Sequence, residues 1–160
     1  MTELNRQRVA ELPVGPVQVT EDIEVCHGTP YDEDVYVFDH DDAVRALASA
    51  GSRLCFFGHT HVPVVFSMSS DPAELQTVTP EPGAAEPTVI HLDPSRRYLI
   101  NPGSVGQPRD GDPRAAYGLY DSGEDRVELR RVAYRVDLAQ EKITEAGLPE
   151  PLARRLGVGR

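Results

Sequence analysis

The chain lacks the features that would tie it to a membrane or to a disulfide framework. Its 160 residues include no tryptophan and only two cysteines, too few for the bridges that hold small secreted domains together. Cys26 and Cys55 both stand within apolar runs, and we expect them to be buried free thiols. No apolar run approaches the ~20 residues that span a bilayer. We therefore expect a cytoplasmic protein that makes no membrane contact.

Basic residues are also scarce, and nearly all of them are arginine. Lys and Arg total 16 against 26 acidic residues, which gives a formal net charge of -10. Because binding to a nucleic-acid backbone needs a basic face, bulk nucleic-acid binding is not expected, whereas a small phosphate pocket remains compatible with this charge. With 39% hydrophobic residues, a chain of this length can form one domain with its own core.

The order of apolar segments predicts an α/β fold. Strands are predicted at residues 17–19 and 23–26, followed by a helix that Asp41 caps and that runs to about Ala50, and then by a buried strand at 53–57. This order is typical of a βαβ-like unit, in which functional residues gather at the carboxyl ends of the strands. Further strands are predicted at 62–68, 88–92, 98–100, 116–120 and 126–132, and further helices at 2–12, 138–146 and 150–156. In the first of these helices, Leu4, Val9 and Leu12 fall roughly on one side.

The segment at about residues 69–87 differs from its surroundings. It contains four prolines and few large apolar residues, so it offers little with which to form a core. We interpret it as a flexible proline-rich insertion in a single domain that spans residues 1–160, and expect it to tolerate shortening.

Histidines follow two of the predicted strands. His59 and His61 come directly after the strand at 53–57, and His27 ends the strand before it. Neutral imidazole is a common ligand of transition-metal ions, but a His-x-His pair alone fits a structural or solvent-facing role equally well. If the strands ending at Cys26 and Phe57 are neighbours, the three histidines share one cleft. The remaining histidines, His40 and His91, lack such a setting, and we expect them at the surface or in packing.

Three blocks of sequence together resemble the second half of the calcineurin-like metallophosphoesterase superfamily, especially its small bacterial and archaeal phosphodiesterase-type members. They are Val25-Cys26-His27-Gly28-Thr29-Pro30, Phe57-Gly58-His59-Thr60-His61-Val62-Pro63 and the block from Ile100 to Arg109, which begins Ile100-Asn101-Pro102-Gly103-Ser104. The resemblance implies a partial metallophosphoesterase-type β-sandwich with flanking helices, lacking the N-terminal βα units. It also implies metal-dependent hydrolysis of a small phosphoester by a phosphatase or phosphodiesterase.

The resemblance assigns the three histidines to a two-metal site. It implies that His27 and His59 bind one divalent cation and that His61 binds the other, without distinguishing Mn, Fe, Zn or Ni. The family's upstream Asp-x-His, Gly-Asp and Gly-Asn-His motifs have no counterpart before His27, so no catalytic residue is identified in this chain. Because three neutral imidazoles do not offset the charge of two dications, we expect the chain by itself to be inactive.

The resemblance also places the loop after Ile100 beside the metal cleft. It implies that Asn101 and Arg109 bind substrate, since a guanidinium matches a phosphate in a bidentate way. The alternative is a tight turn in which proline and glycine serve only the backbone geometry.

Three hypotheses account for the missing motifs. In the first, the protein is a phosphoester hydrolase and this sequence is a truncated record of it. In the second, it is a non-catalytic remnant or interaction module. In the third, it is one half of a split enzyme whose missing motifs lie on another polypeptide. Self-association or an upstream-half partner is compatible with the last two.

Overall fold

The computed structural model describes all 160 residues and contains two β-sheets and four α-helices. The strands are β1 (Val17–Thr20), β2 (Ile23–Val25), β3 (Leu54–Phe56), β4 (Val64–Met68), β5 (Gln76–Val78), β6 (Thr88–His91), β7 (Arg97–Asn101), β8 (Ala115–Asp121) and β9 (Arg126–Val132). The helices are α1 (Glu3–Ala10), α2 (His40–Ser49), α3 (Val136–Glu145) and α4 (Glu150–Arg154). The strand order is β1-β2-β3-β7-β4-β5 in the larger sheet and β6-β9-β8 in the smaller.

The core has two parts, one on each face of the larger sheet. Between the sheets, Leu54 and Ile100 of the larger pack with Val127 and Leu129 of the smaller. On the opposite face, α2 buries its apolar side, including Leu47, which is wholly inaccessible to solvent. Burial of a leucine of this kind contributes roughly 1.5–3 kcal/mol. The predicted α/β sandwich with flanking helices is therefore confirmed.

Three parallel strands set up the edge that carries the histidines. β3 pairs in parallel with β2 on one side and with β7 on the other. The ladder continues past the strand ends, because Cys26 N–H donates to Phe56 O at 2.9 Å and Phe57 N–H donates to Ile100 O at 2.9 Å. The predicted neighbourhood of the strands ending at Cys26 and Phe57 is thus confirmed, and the residues that follow them meet at one edge.

The boundaries of α2 and the packing of α1 differ from expectation. Asp39 rather than Asp41 caps α2, since Asp39 has an extended backbone and its side chain accepts from Asp42 N–H at 2.9 Å. This cap starts the helix at His40, one residue before Asp41. The first helix buries none of its residues, although an apolar side was predicted for it.

The proline-rich segment contains regular structure that the sequence did not predict. A short 3-10 helix at Pro72–Glu74 precedes β5, which pairs antiparallel with β4. Further along, Gly83 N–H donates to Asp112 Oδ2 at 3.0 Å, and Arg114 donates to Ala84 O at 2.9 Å. Backbone pairing offsets the lack of apolar side chains at β5. The flexibility of this segment and its tolerance of shortening stay predictions.

Two smaller expectations concern the cysteines and membrane spans. Cys26 and Cys55 are buried free thiols, as predicted, and their sulfurs lie 3.6 Å apart. None of the helices has the length and apolarity needed to cross a membrane.

Candidate functional site

The loop after β3 holds two histidines in an unusual backbone conformation. His59 and His61 have φ angles of 63° and 60°, in the left-handed region that residues with a Cβ rarely adopt. Such strain persists only where neighbouring contacts enforce it, and it concentrates at functional sites. The strained backbone therefore marks this loop as a candidate site independently of its residue types.

A single buried amide enforces that conformation. The side chain of Asn101 is fully inaccessible. Its Nδ2 donates to Gly58 O at 2.8 Å and to Thr60 Oγ1 at 2.9 Å, and its Oδ1 accepts from Gly103 N–H at 2.9 Å. This amide therefore fixes the histidine loop and the loop after β7 relative to each other. The geometry favours a positioning role over direct contact with substrate, and the substrate contact predicted for Asn101 stays a prediction.

His27 and His59 lie side by side at the edge. Their ring centroids are 4.6 Å apart with an interplanar angle of 62°, and Gly58 N–H donates to His27 O at 2.8 Å. His27 is exposed and His59 is half-buried. The structure thus brings together two imidazoles that are 32 positions apart in the sequence, on the same side of the sheet.

The segment between β2 and α2 orients the ring of His59. Its Nε2 lies 3.2 Å from Asp34 O, and because a carbonyl only accepts, Nε2 carries the proton and donates. The lone pair of Nδ1 then remains available to a ligand. Tyr36 stacks on the same ring, with centroids 3.8 Å apart and planes 27° apart.

His61 is oriented in the same manner from the other side. Its Nδ1 lies 2.8 Å from Gln107 O and donates to it, which leaves the Nε2 lone pair free. Burial lowers the pKa of His61 below its ordinary value; the hydrogen bond to Gln107 O opposes this shift, and electrostatic repulsion by Arg109 and the neighbouring imidazoles of His59 and His27 adds to it. The neutral imidazole, the form that ligates metals, is therefore the favoured form at neutral pH.

These residues do not make a complete metal site. Nowhere does the structure gather three histidine, cysteine, aspartate or glutamate side chains into an arrangement that could hold a metal ion. Nearby carboxylates are engaged in backbone turns, since Asp32 accepts from Asp34 N–H at 2.9 Å and Asp39 caps α2. The three histidines can supply nitrogen ligands to a transition-metal ion, but no carboxylate ligand accompanies them.

Arg109 is joined to the histidine loop through its backbone. Its side chain is exposed, with Nη2 3.3 Å from Gln107 Oε1, and its N–H donates to His61 O at 3.3 Å. The guanidinium has no carboxylate partner among the ion pairs of the structure. Substrate binding by Arg109 stays a prediction, and the geometry is compatible with it.

Sequence reasoning missed the contacts that orient the imidazoles. Two are backbone carbonyls, of Asp34 and Gln107, which carry no side-chain signal. Tyr36 had a weak signal, because it stands in an aromatic and acidic stretch directly after the His27-Gly28 motif. The two histidines set apart at the sequence level, His40 and His91, are exposed as expected.

Comparison with known proteins gives a family match over most of the chain. The family model described as the calcineurin-like phosphoesterase superfamily domain matches residues 4–125. An uncharacterized protein from Methanocaldococcus jannaschii is 37% identical over 134 residues, which cover 84% of this chain and 50% of that protein.

Solved structures agree with this match. A metallophosphoesterase from Sphaerobacter thermophilus superposes with a TM-score of 0.85 at 35% identity, over 100% of this chain and 63% of that one. A hypothetical protein from Pyrococcus horikoshii superposes with a TM-score of 0.65 at 15% identity, over 98% of this chain and 55% of that one, and this likeness concerns the fold alone. The chain spans about half the length of its Methanocaldococcus relative.

Proposed function

The chain belongs to the calcineurin-like phosphoesterase superfamily, and from that premise we propose that it supplies the imidazole half of a two-metal centre that hydrolyses phosphomonoesters or phosphodiesters. His27 and His59 hold one divalent cation in this proposal, and His61 holds the other. The carboxylate ligands come from residues outside the 160 described here.

The observation that carries the proposal is the orientation of the imidazoles. Two separate backbone carbonyls accept hydrogen bonds from the ring N–H groups of His59 and His61, which leaves one nitrogen lone pair free on each ring. Metal-ligating histidines are commonly held in this way by a hydrogen bond from the second ring nitrogen.

When bound, a pair of divalent cations polarises the phosphoryl group and supplies a nucleophile at neutral pH. The chain's own residues perform the supporting tasks. Asn101 holds the backbone that presents His59 and His61, and the lowered pKa of His61 keeps that ring neutral and ready to ligate. Arg109 is placed to bind and orient a phosphoryl oxygen, because its exposed guanidinium has no acidic partner.

The incomplete donor set argues for a partnership between this chain and other residues. Three imidazoles bring no negative charge, so two dications held by them alone would repel each other without compensation. We therefore expect the 160-residue chain to bind divalent metal weakly and to show no measurable hydrolysis. A non-catalytic binding module is the second candidate, favoured by the absence of a complete site within the chain.

The experiment joins this chain to the part of the Sphaerobacter thermophilus metallophosphoesterase that lies outside the structural match. We expect the chimaera to hydrolyse bis-p-nitrophenyl phosphate with added manganese and to lose at least ~100-fold of that rate in His61→Ala, since removal of transition-state charge stabilisation costs several kcal/mol. His91→Ala, which removes an exposed imidazole remote from this edge, serves as the matched control.

Two results would overturn the proposal. Manganese-dependent turnover by the 160-residue chain alone, lost in His61→Ala, would show that the chain already carries a whole site. A folded chimaera that neither turns over substrate nor binds manganese more tightly than its His59→Ala and His61→Ala variants would exclude these histidines as ligands and leave the binding-module candidate.

A further inference from the structure

Three rings form a stacked column that leads away from the histidine edge. Tyr36 lies between His59, at a centroid distance of 3.8 Å, and Phe38, at 5.1 Å with planes only 7° apart. The third ring ends the column in solvent, because Phe38 is 71% exposed. An aromatic ring with a free face costs hydration free energy unless something covers it. We call these three rings the aromatic column.

The end of the aromatic column forms one wall of a groove of about 310 Å³. Val62, Val64 and Phe66 supply further apolar surface, so the groove runs along β4 from the histidine loop. Thr60, which stands between His59 and His61, also lines it. The groove is thus continuous with the edge that presents the imidazoles, and a volume of this size is at the lower end of the range for small-molecule sites.

The polar lining of the groove disfavours a second anion in it. Asp39 contributes the carboxylate of this lining, and acidic residues crowd the preceding segment. The other polar groups, which include the hydroxyls of Thr77 and Thr79 and the imidazole of His40, can donate or accept hydrogen bonds. A phosphoryl group is repelled from this side and attracted to the guanidinium of Arg109 on the other. An occupant that joins both regions therefore places its anionic part at the histidines and an uncharged part in the groove.

The column also indicates the shape of that uncharged part. The ring of Tyr31, in the same segment between β2 and α2, is already covered by the guanidinium of Arg45, which lies 4.3 Å from its centroid. Phe38 has no such cover, and its free face continues a series of near-parallel rings. Flat rings extend such a series at little entropic cost, whereas an alkyl chain gains only unspecific apolar contact.

Resting on the proposed function, we propose that the groove beside Phe38 selects phosphoesters that carry a planar aromatic ring, with the ring stacked on Phe38 and the phosphoryl group at His59 and His61. Phe38 is a specificity-determining contact in this arrangement. Tyr36 is a positioning residue, because it holds Phe38 against the groove through its own stack on His59. The shared chemistry is the planar ring, which either a nucleoside or a simple aryl group supplies.

The test is calorimetric titration of the 160-residue chain, in an excess of manganese that compensates for its weak metal binding, with adenosine 5′-monophosphate, phenyl phosphate and butyl phosphate. We expect both ring-bearing ligands to bind about tenfold more tightly than butyl phosphate, as one stacked ring supplies. Phe38→Ala should abolish that ratio and Phe38→Tyr should keep it. Leu119→Ala removes an exposed apolar side chain from β8, outside the groove, and should leave the ratio unchanged. The first two ligands distinguish a nucleoside from a simple aryl group.

The outcomes separate this inference from the function on which it rests. Equal affinity for phenyl and butyl phosphate, a ratio that survives in Phe38→Ala, or no binding of any ligand overturns the inference. If His59→Ala and His61→Ala bind all three ligands as the unmodified chain does, the phosphoryl group is not at the histidines. The proposed function then fails, even where a preference for rings persists.

Discussion

The two edges of the parallel strands β2, β3 and β7 differ in how their polar groups are satisfied. At the amino edge, where these strands begin, Arg53 pairs with Asp125 at 2.7 Å, and Tyr120 OH donates to the same carboxylate at 3.2 Å. Arg97 at this edge donates to Ser52 O at 3.0 Å. At the carboxyl edge, imidazoles stand without carboxylate partners on a backbone in the left-handed region.

The contrast indicates that the carboxyl edge contributes less to the stability of the fold than the amino edge. The charge-assisted contacts of the amino edge join the two sheets. The carboxyl edge keeps lone pairs, an exposed guanidinium and an uncovered aromatic ring free, each of which is more useful to a ligand than to the fold. An edge whose polar groups stay free, beside one whose charged groups are paired, is the usual distribution in proteins with a binding site.

The largest effect on this contrast is expected from Asn101→Ala. The substitution leaves Gly58 O and Gly103 N–H without their buried partner, and unsatisfied buried groups cost roughly 2–4 kcal/mol in total. Urea unfolding of the purified chain measures the loss in the free energy of unfolding.

Arg53→Met at the amino edge is the matched comparison. It should cost no more than about 1 kcal/mol, because the Arg53–Asp125 pair is partly exposed and screened, and because Nη1 of Arg53 is already buried without a partner. An equal loss in the two variants would break the contrast between the edges.

A second prediction uses pH to examine the clasp, by which we mean the Asp112–Arg114 ion pair together with its hydrogen bonds to Gly83 and Ala84 of the proline-rich segment. The Arg114 guanidinium beside Asp112 holds the pKa of that carboxyl well below its usual range. A depressed folded-state pKa stabilises the fold above the ordinary aspartate pKa of about 3.9, and this contribution is lost as pH falls toward the folded-state value. Asp112→Asn should therefore lower Tm most at pH 6 and progressively less below about pH 4.

Asp137→Asn serves as the control for this pH dependence. Arg135 lowers the pKa of Asp137 to about 2, but the pair is exposed to solvent and screened. Its removal should shift Tm little at any pH. A difference between the unmodified chain and Asp112→Asn that is the same at pH 3 and pH 6 would show that the clasp acts through packing and not through charge.

The smallest effect is expected from a matched pair of glycine substitutions, one at each edge. His59 and Asp125 both have positive φ, at 63° and 45°. Glycine relieves the strain at either position but adds freedom to the unfolded chain. His59→Gly should change the free energy of unfolding by less than about 1 kcal/mol in either direction, because the variant loses the hydrogen bond to Asp34 O and the ring contacts with Tyr36 and His27 while it relieves the strain.

Asp125→Gly should lower that free energy by about 1 kcal/mol, since it also removes the partner of Arg53 and Tyr120. Thermal and urea unfolding measure both variants. A clear loss in His59→Gly, as large as that in Asp125→Gly, would mean that the histidine loop contributes to stability as much as the amino edge does.

Much of the fold is predictable from the residues because its elements are short and clearly bounded. Apolar runs located β3, β4 and β9 to within about two residues, and the resemblance carried by three motif blocks led to the correct family. The short strand β5 was not predictable, since Gln76, Thr77 and Val78 have little apolar pattern and form a strand only by pairing with β4. Such pairing is a property of the partner strand and leaves no local signal.

By itself the sequence determined that two histidine motifs follow buried parallel strands, because residue type and apolar periodicity are local properties. Only the tertiary structure decided which nitrogen of each imidazole is free, since that depends on the carbonyls of Asp34 and Gln107, 25 and 46 positions away. It likewise decided that Asn101 is buried under the histidine loop, and that Tyr36 and Phe38 stack outward from His59. These arrangements arise from contacts between distant segments, which form only when the sheets pack and exclude water from between them.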